Sequence, residues 1–381
     1  MTTADASAVK VKRIWDYLSD ADKRSIVVGV PQTYPPRPLN GEMIGCFLTP
    51  GLDSDFASPA ALKQEVQRLI PDYAFDVRGF RTDDKSGLLQ RLLDMTDMQF
   101  RLVEHLLTSR AWDFFMYVNI GVDRVHHGFW RYHDPSHRLF EPNSPFASAI
   151  RDYYMLMDQG LRRLLHHIPD DTVILVVSDH GVKRMDGGIC INQWLWQHGW
   201  LTLKTPPSHG EIVAFEKAVI DWTRPKAWAR GGYFGRIFLN VAGREPAGTI
   251  TPDAYEETRA ALTAQLAAIP DPDGRPLATQ VFKPQQIYSQ VSGVAPDLLV
   301  YFGDLHWRAV GGLGYESLHT LENDTGPDDA NHAQQGMFIL YDPSQPGAGR
   351  VSGHQLMDIA PTLLQRMVLK ADPILQGKII G

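Results

Sequence analysis

Cysteine is scarce in this chain, long runs of Lys and Arg are missing, and no apolar stretch reaches the length of a membrane span. Cys46 and Cys190 alone exclude a disulfide framework and a thiolate metal cage. In their apolar or glycine-rich surroundings they read as packing residues of a reduced, cytoplasmic protein. The missing basic block, together with a net charge of -7, excludes a general nucleic-acid-binding surface. The start, Met1-Thr2-Thr3-Ala4-Asp5-Ala6, has no basic region followed by an apolar one, so neither a signal peptide nor membrane attachment is expected. No internal repeat and no low-complexity tract interrupts the chain.

What is present is ordinary core material, with 44% hydrophobic and 21% charged residues over 381 positions. That length suits one large α/β unit with insertions as well as it suits two domains. Segment Arg13 to Leu18 reads as a short amphipathic helix and Ser25 to Val30 as a buried strand. The proline-rich Thr33 to Gly41 reads as a rigid loop. Leu92, Leu93, Met98, Leu102 and Leu106 recur at helical spacing between Leu88 and Leu107. The run from Trp112 to Ile120 predicts a buried strand, with a helix starting near Gly121. Ile150, Tyr153, Tyr154, Met157, Leu161, Leu164 and Leu165 predict another helix, leading into the apolar run Val173 to Val177.

Helix and strand alternate in the manner of a three-layer αβα sandwich around a mainly parallel sheet with right-handed crossovers. Residues 205–290 break that rhythm and predict a small inserted or appended α+β subdomain. They separate a first part of the α/β core, residues 1–204, from a second, residues 291–381. Strands at Pro296 to Phe302 and Gly336 to Tyr341 and a helix near Asp358 resume the core.

The most informative segment is Ser178-Asp179-His180-Gly181, which follows the Val173 to Val177 run. In open α/β sheets, ligands bind beyond the carboxyl ends of such strands. Asp and Gly also form ordinary turns, so the segment gains meaning from its company. Asp123 and His127 stand four apart after the preceding strand, on one face if that segment is helical. The competing reading of that pair is an exposed first helical turn in which Asp favours the dipole. His126 points elsewhere around the helix, and His133 and His137 fall in the following loop. His332 lies just before a strand, where a plain loop histidine is the alternative. Asp123, His127, Asp179, His180 and His332 together supply two carboxylates and three imidazoles, a donor set for zinc or manganese. Two ions so held would clamp the attacking and leaving oxygens of an in-line phosphoryl displacement.

These residues, with Ile14 to Ser19, Val30 to Pro36, Phe129-Trp130, Gly243 to Pro246, Glu322 to Pro327 and Asp358 to Thr362, resemble the alkaline phosphatase superfamily in its type I phosphodiesterase and nucleotide pyrophosphatase branch. The resemblance implies a metal-dependent hydrolase of phosphate esters or phosphodiesters acting on a small phosphorylated substrate with two divalent ions, usually zinc. It implies that Asp123, His127 and His332 hold one ion, and Asp179 and His180 the other. It also implies a Thr or Ser nucleophile and a further Asp from a first strand-helix unit.

The sequence is expected to lack that unit. No catalytic nucleophile is assigned within it, because Thr2, Thr3, Asp5 and Ser7 lie in a polar leader expected to fray. A truncated chain would have an incomplete second ion site, doubtful activity and an exposed sheet slot that favours self-association. The alternatives are a non-catalytic member keeping one ion and a phosphomutase of the same superfamily; a sulfatase is disfavoured. No substrate-binding residue is assigned, although Trp130, Tyr132, Trp307 and Arg308 are loop candidates for clamping a leaving group.

Overall fold

The structure is a computed structural model describing residues 4–208, 210–291 and 293–381. Thr2 and Thr3 of the leader lie outside the described residues. Up to His133 the chain forms α1 (Ile14–Asp20), β1 (Ser25–Val28), β2 (Gly41–Ile44), β3 (Ala57–Ser58), α2 (Ala60–Leu69), α3 (Lys85–Ser109), β4 (Phe114–Tyr117) and α4 (Gly121–His133). Next come α5 (Ala149–Leu165), β5 (Ile174–Val177), β6 (Gly181–Arg184), β7 (Gly187–Cys190), α6 (Ile191–Gln197), β8 (Ala227–Arg230), β9 (Gly235–Leu239) and α7 (Tyr255–Ala267). The remainder holds β10 (Gln280–Phe282), α8 (Pro284–Ile287), β11 (Leu298–Tyr301), β12 (Trp307–Val310), β13 (His319–Thr320), β14 (Ala330–Ala333), β15 (Phe338–Tyr341) and α9 (Ile359–Arg366).

The chain divides into two compact units. The first comprises the described residues up to Phe129 with Asn143–Asp179 and Met337–Gly381, and the second Trp130–Pro142 with His180–Gly336.

In the first unit the alternation of side chains along a strand explains the layering. Strand β1 pairs in parallel with β2 and with β4, and β3 closes the order β3-β2-β1-β4. Ile26 and Val28 pack with Ile44 against Leu62 and Val66 of α2 and Leu102, Val103 and Leu106 of α3. Val27, between them, packs with Met43 against Trp15 of α1. Helices thus cover both faces, which is the αβα arrangement of an α/β fold. Burial of each such aliphatic side chain stabilises by on the order of 1.5–3 kcal/mol. Helix α3 starts where the Asp84 carboxylate accepts the Gly87 N–H at 2.9 Å.

Several expectations need correction. Strand β4 is half-buried at all four positions, pairing with β1 and, among the described residues, with no further neighbour in its sheet. Strand β5 is half-buried at Ile174, Leu175 and Val176 and exposed at Val177, and among the described residues it pairs only with β15, antiparallel, rather than sitting inside a parallel sheet. The leader does not fray at Asp5 and Ser7. Asp5 accepts the Ser7 N–H at 2.7 Å, capping a 3-10 turn over Ala6–Ala8, and Ala6, 1% exposed, donates its N–H to the Tyr34 carbonyl at 2.8 Å. A short cap and a small side chain are enough to dock it.

The second unit is built on the antiparallel sheet β10-β11-β9-β8. Its buried face, with Ala227, Ala229, Ile237, Leu239, Leu298 and Val300, meets Leu262 and Leu266 of α7 and Trp194 and Leu195 of α6. Strand β11 therefore belongs to this sheet and does not resume the parallel core; an apolar run specifies burial, not the partner. Asp297, 3% exposed, accepts from both Arg244 Nη atoms at 2.8 Å, from Tyr255 Oη at 2.6 Å and from the Leu239 N–H at 2.6 Å. Its charge is thereby paired and its lone pairs are used. The smaller sheets β12-β7-β13 and β14-β6 complete the unit. Among the described residues no helix is long and apolar enough to cross a membrane.

Candidate metal centre

In the first unit the site begins at the turn into α4. Asn119 Oδ1 accepts the Val122 N–H at 3.2 Å, while its amide donates to Gln99 Oε1 and Tyr117 Oη at 3.0 Å each. Gly121 is required there, since a Cβ would stand 1.8 Å from Tyr153 Oη. Asp123 falls in the first helical turn, where the helix dipole favours a carboxylate, and His127 follows one turn later on the same face. His127 is 1% exposed and its Nε2 lies 3.3 Å from Asp123 Oδ1, so the spacing read from the sequence does bring these two donors together. His126 is directed elsewhere, its Nε2 3.2 Å from Tyr154 Oη.

Asp123 is also gripped by a neighbour that sequence reasoning missed. Arg124 Nη1 donates to Asp123 Oδ2 at 2.8 Å, and the same guanidinium donates to Asp76 through Nε at 3.0 Å and Nη2 at 2.7 Å. Arg124 adjoins Asp123 in sequence and could have been suspected, whereas Asp76 comes from an irregular segment with no motif around it. Asp179, at the end of β5, is exposed. It follows Ser178, whose N–H donates to the Met337 carbonyl at 2.9 Å and whose Oγ accepts the Met337 N–H at 2.8 Å.

In the second unit, His332 is within strand β14 rather than in a loop before a strand, pairing with Val182 of β6. The antiparallel register stacks His332 on His180, with ring centroids 3.7 Å apart and planes at 13°. A ring nitrogen of each lies within 4.8 Å of one of the other's. Tyr233 backs His332 at 4.0 Å. His180 Nδ1 is 2.8 Å from the Gly181 carbonyl, so Nδ1 carries a proton and donates it, and Nε2 is the ring nitrogen not used in that bond. Gly181 itself begins β6, and a Cβ on it would stand 2.1 Å from the Gln335 carbonyl oxygen. It is a close-packing glycine, not the turn glycine that Asp-His-Gly suggests.

The candidate clamp residues are not in loops. Trp130 and Tyr132 belong to α4, Trp307 and Arg308 to β12. Tyr132, Trp307 and Arg308 are buried. Arg308 bonds Asn323 and Thr325 and pairs with Asp324 at 3.3 Å. Trp130 Nε1 donates to Asp134 Oδ2 at 3.1 Å. Cys190 is buried, and desolvation pushes its thiol up to about 12, so it offers no thiolate ligand; Cys46 is likewise buried and unbridged.

The model of the type I phosphodiesterase / nucleotide pyrophosphatase family matches residues 1–328. The chain belongs to that family. Among solved structures, this phosphodiesterase-family chain is similar to human ectonucleotide pyrophosphatase/phosphodiesterase 5, with a TM-score of 0.51 and 13% identity over 97% of this chain and 74% of that one. At that identity the likeness speaks for the fold alone. No curated protein matches by sequence. In the first unit the Asp123 carboxylate and the His127 imidazole on α4, and in the second unit the imidazoles of His180 just before β6 and of His332 on β14, are oxygen and nitrogen donors of the kind a divalent metal ion takes.

Proposed function

We propose that this chain is a metal-dependent hydrolase of phosphodiesters. In this reading Asp123, His127 and His332 serve one divalent ion and Asp179 and His180 a second, with zinc ahead of manganese. The observation that carries the reading is the His180 side chain, whose Nδ1 is committed to the Gly181 carbonyl and whose ring is stacked on His332. Stacked imidazoles with ring nitrogens this close are suited to a shared cationic neighbourhood. Bound ions would supply charge stabilisation for the equatorial and leaving oxygens of the phosphoryl group. The protein's own part is to fix tautomers and to aim lone pairs: the Gly181 carbonyl holds the His180 proton, and the first turn of α4 holds Asp123 beside His127.

A second reading, ion binding without turnover, is favoured by the make-up of this set, which contains ligands and no nucleophile. The cytoplasmic setting is supported by the two buried, unbridged thiols. The test is metal analysis of the purified protein with hydrolysis of bis(p-nitrophenyl) phosphate, before and after chelation and zinc or manganese add-back. Asp123→Ala is expected to lose one equivalent of ion and any chelator-sensitive hydrolysis. Unchanged ion content in that variant would remove the first-ion assignment. Retained ions with no hydrolysis would favour the second reading.

A further inference from the structure

We propose that Asp76 and Arg124 are positioning residues that hold the Asp123 carboxylate in the orientation in which it serves a cation, an inference that rests on the reading of Asp123 as an ion ligand. Arg124 is 9% exposed and its planar fork is used on both sides. Nε and Nη2 meet the two oxygens of Asp76 at 3.0 and 2.7 Å, and Nη1 meets Asp123 Oδ2 at 2.8 Å. The guanidinium is further confined by aromatic rings, 4.2 Å from the Phe80 centroid and 5.7 Å from that of Phe47. Asp76 is itself fixed, its Oδ1 accepting the Val77 N–H at 2.8 Å.

This division of labour sets the two oxygens of Asp123 apart. Oδ2 is turned to Arg124, and Oδ1 stands 3.3 Å from His127 Nε2. It also settles the charge balance. Asp76 neutralises the guanidinium that would otherwise stand beside a cation site, so the negative charge of Asp123 remains available to the ion. A carboxylate that ligates a metal while a second group orients it is the usual outer arrangement of such sites, and loss of the orienting group weakens affinity by about 10–100-fold. Lysine is no substitute, because a point charge on a flexible stem does not span two carboxylates with fixed geometry.

The experiment is competition of the full chain against a chromophoric chelator for Zn²⁺, run on the wild type and on Asp123→Ala, Asp76→Asn, Arg124→Lys and Arg124→Ala. Near-UV circular dichroism checks folding, and the visible spectrum of the Co²⁺-loaded protein reports coordination. Asp123→Ala should lose one equivalent. Asp76→Asn and Arg124→Lys should keep the stoichiometry, weaken that equivalent about 10–100-fold and alter the Co²⁺ spectrum. Wild-type or tighter affinity in both, with the equivalent still lost in Asp123→Ala, overturns the positioning role; tighter binding would mean that Arg124 merely competes with the cation. Full stoichiometry in Asp123→Ala overturns the underlying reading instead, and the inference with it. Should Arg124→Ala fail to fold, the near-isosteric Asp76→Asn still decides.

Discussion

Strand β1 is buried at all four positions and has a parallel neighbour on each side, whereas β5 is half-buried to exposed and has, among the described residues, a single antiparallel neighbour, β15. Both belong to the first unit, and both are spelled in Val, Ile and Leu with one serine at the head of β1. The difference lies in what covers them. Helices α1, α2 and α3 take both faces of β1, while the β5-β15 ribbon leaves Met337, Ile339 and Tyr341 about half exposed, at 52%, 53% and 53%. A two-stranded ribbon is marginal alone, so its stability is expected to come from its ends and from the groups beside it.

Three measurements would break or sharpen that contrast. The largest effect is expected from Ile26→Ala in β1, where the side chain is 2% exposed and the cavity should cost about 2–5 kcal/mol in urea denaturation. The matching Ile339→Ala in β15 should cost less than about 1 kcal/mol, and equal costs would show that the ribbon is as well packed as the sheet. The smallest effect concerns pH. Asp342, just past β15, has its carboxyl held below the usual range, first by the Ser344 hydroxyl, then by the Ser344 N–H and by Arg366 of α9. As pH falls past about 4, an opened ribbon takes up a proton before the folded one does. The stabilisation is therefore complete above that point and is lost as pH drops through the folded pKa. Amide exchange in β5 and β15 should accelerate in acid more steeply than in β1, and Asp342→Asn should flatten the difference.

The same contrast explains what could be read in advance. Helices α3 and α5 were legible because apolar residues at helical spacing define both their existence and one buried face. The Asp123 and His127 pair was legible for the same reason, since a separation of four residues has one meaning on a helix. Strand partners were not legible. Leu298 to Tyr301 and Ile174 to Val177 read alike, yet one joined an antiparallel sheet of the second unit and the other a two-stranded ribbon. His332 was readable as an isolated histidine but not as a strand residue, because pairing with β6 depends on a segment about 150 positions earlier. Asp76 gave no signal, as its role is defined by the fork of a residue far from it in sequence.

Gly181 carries a consequence for how this gene can drift. Every amino acid reachable from a glycine codon by one base change has a Cβ, and at this position that atom would stand 2.1 Å from the Gln335 carbonyl oxygen, inside any tolerable contact. The backbone that bears His180 and the one just beyond His332 are thus locked at a separation only a bare α-carbon allows. Among descendants of this sequence, replacement at 181 should mark lineages in which the histidine pair has already been released from its task.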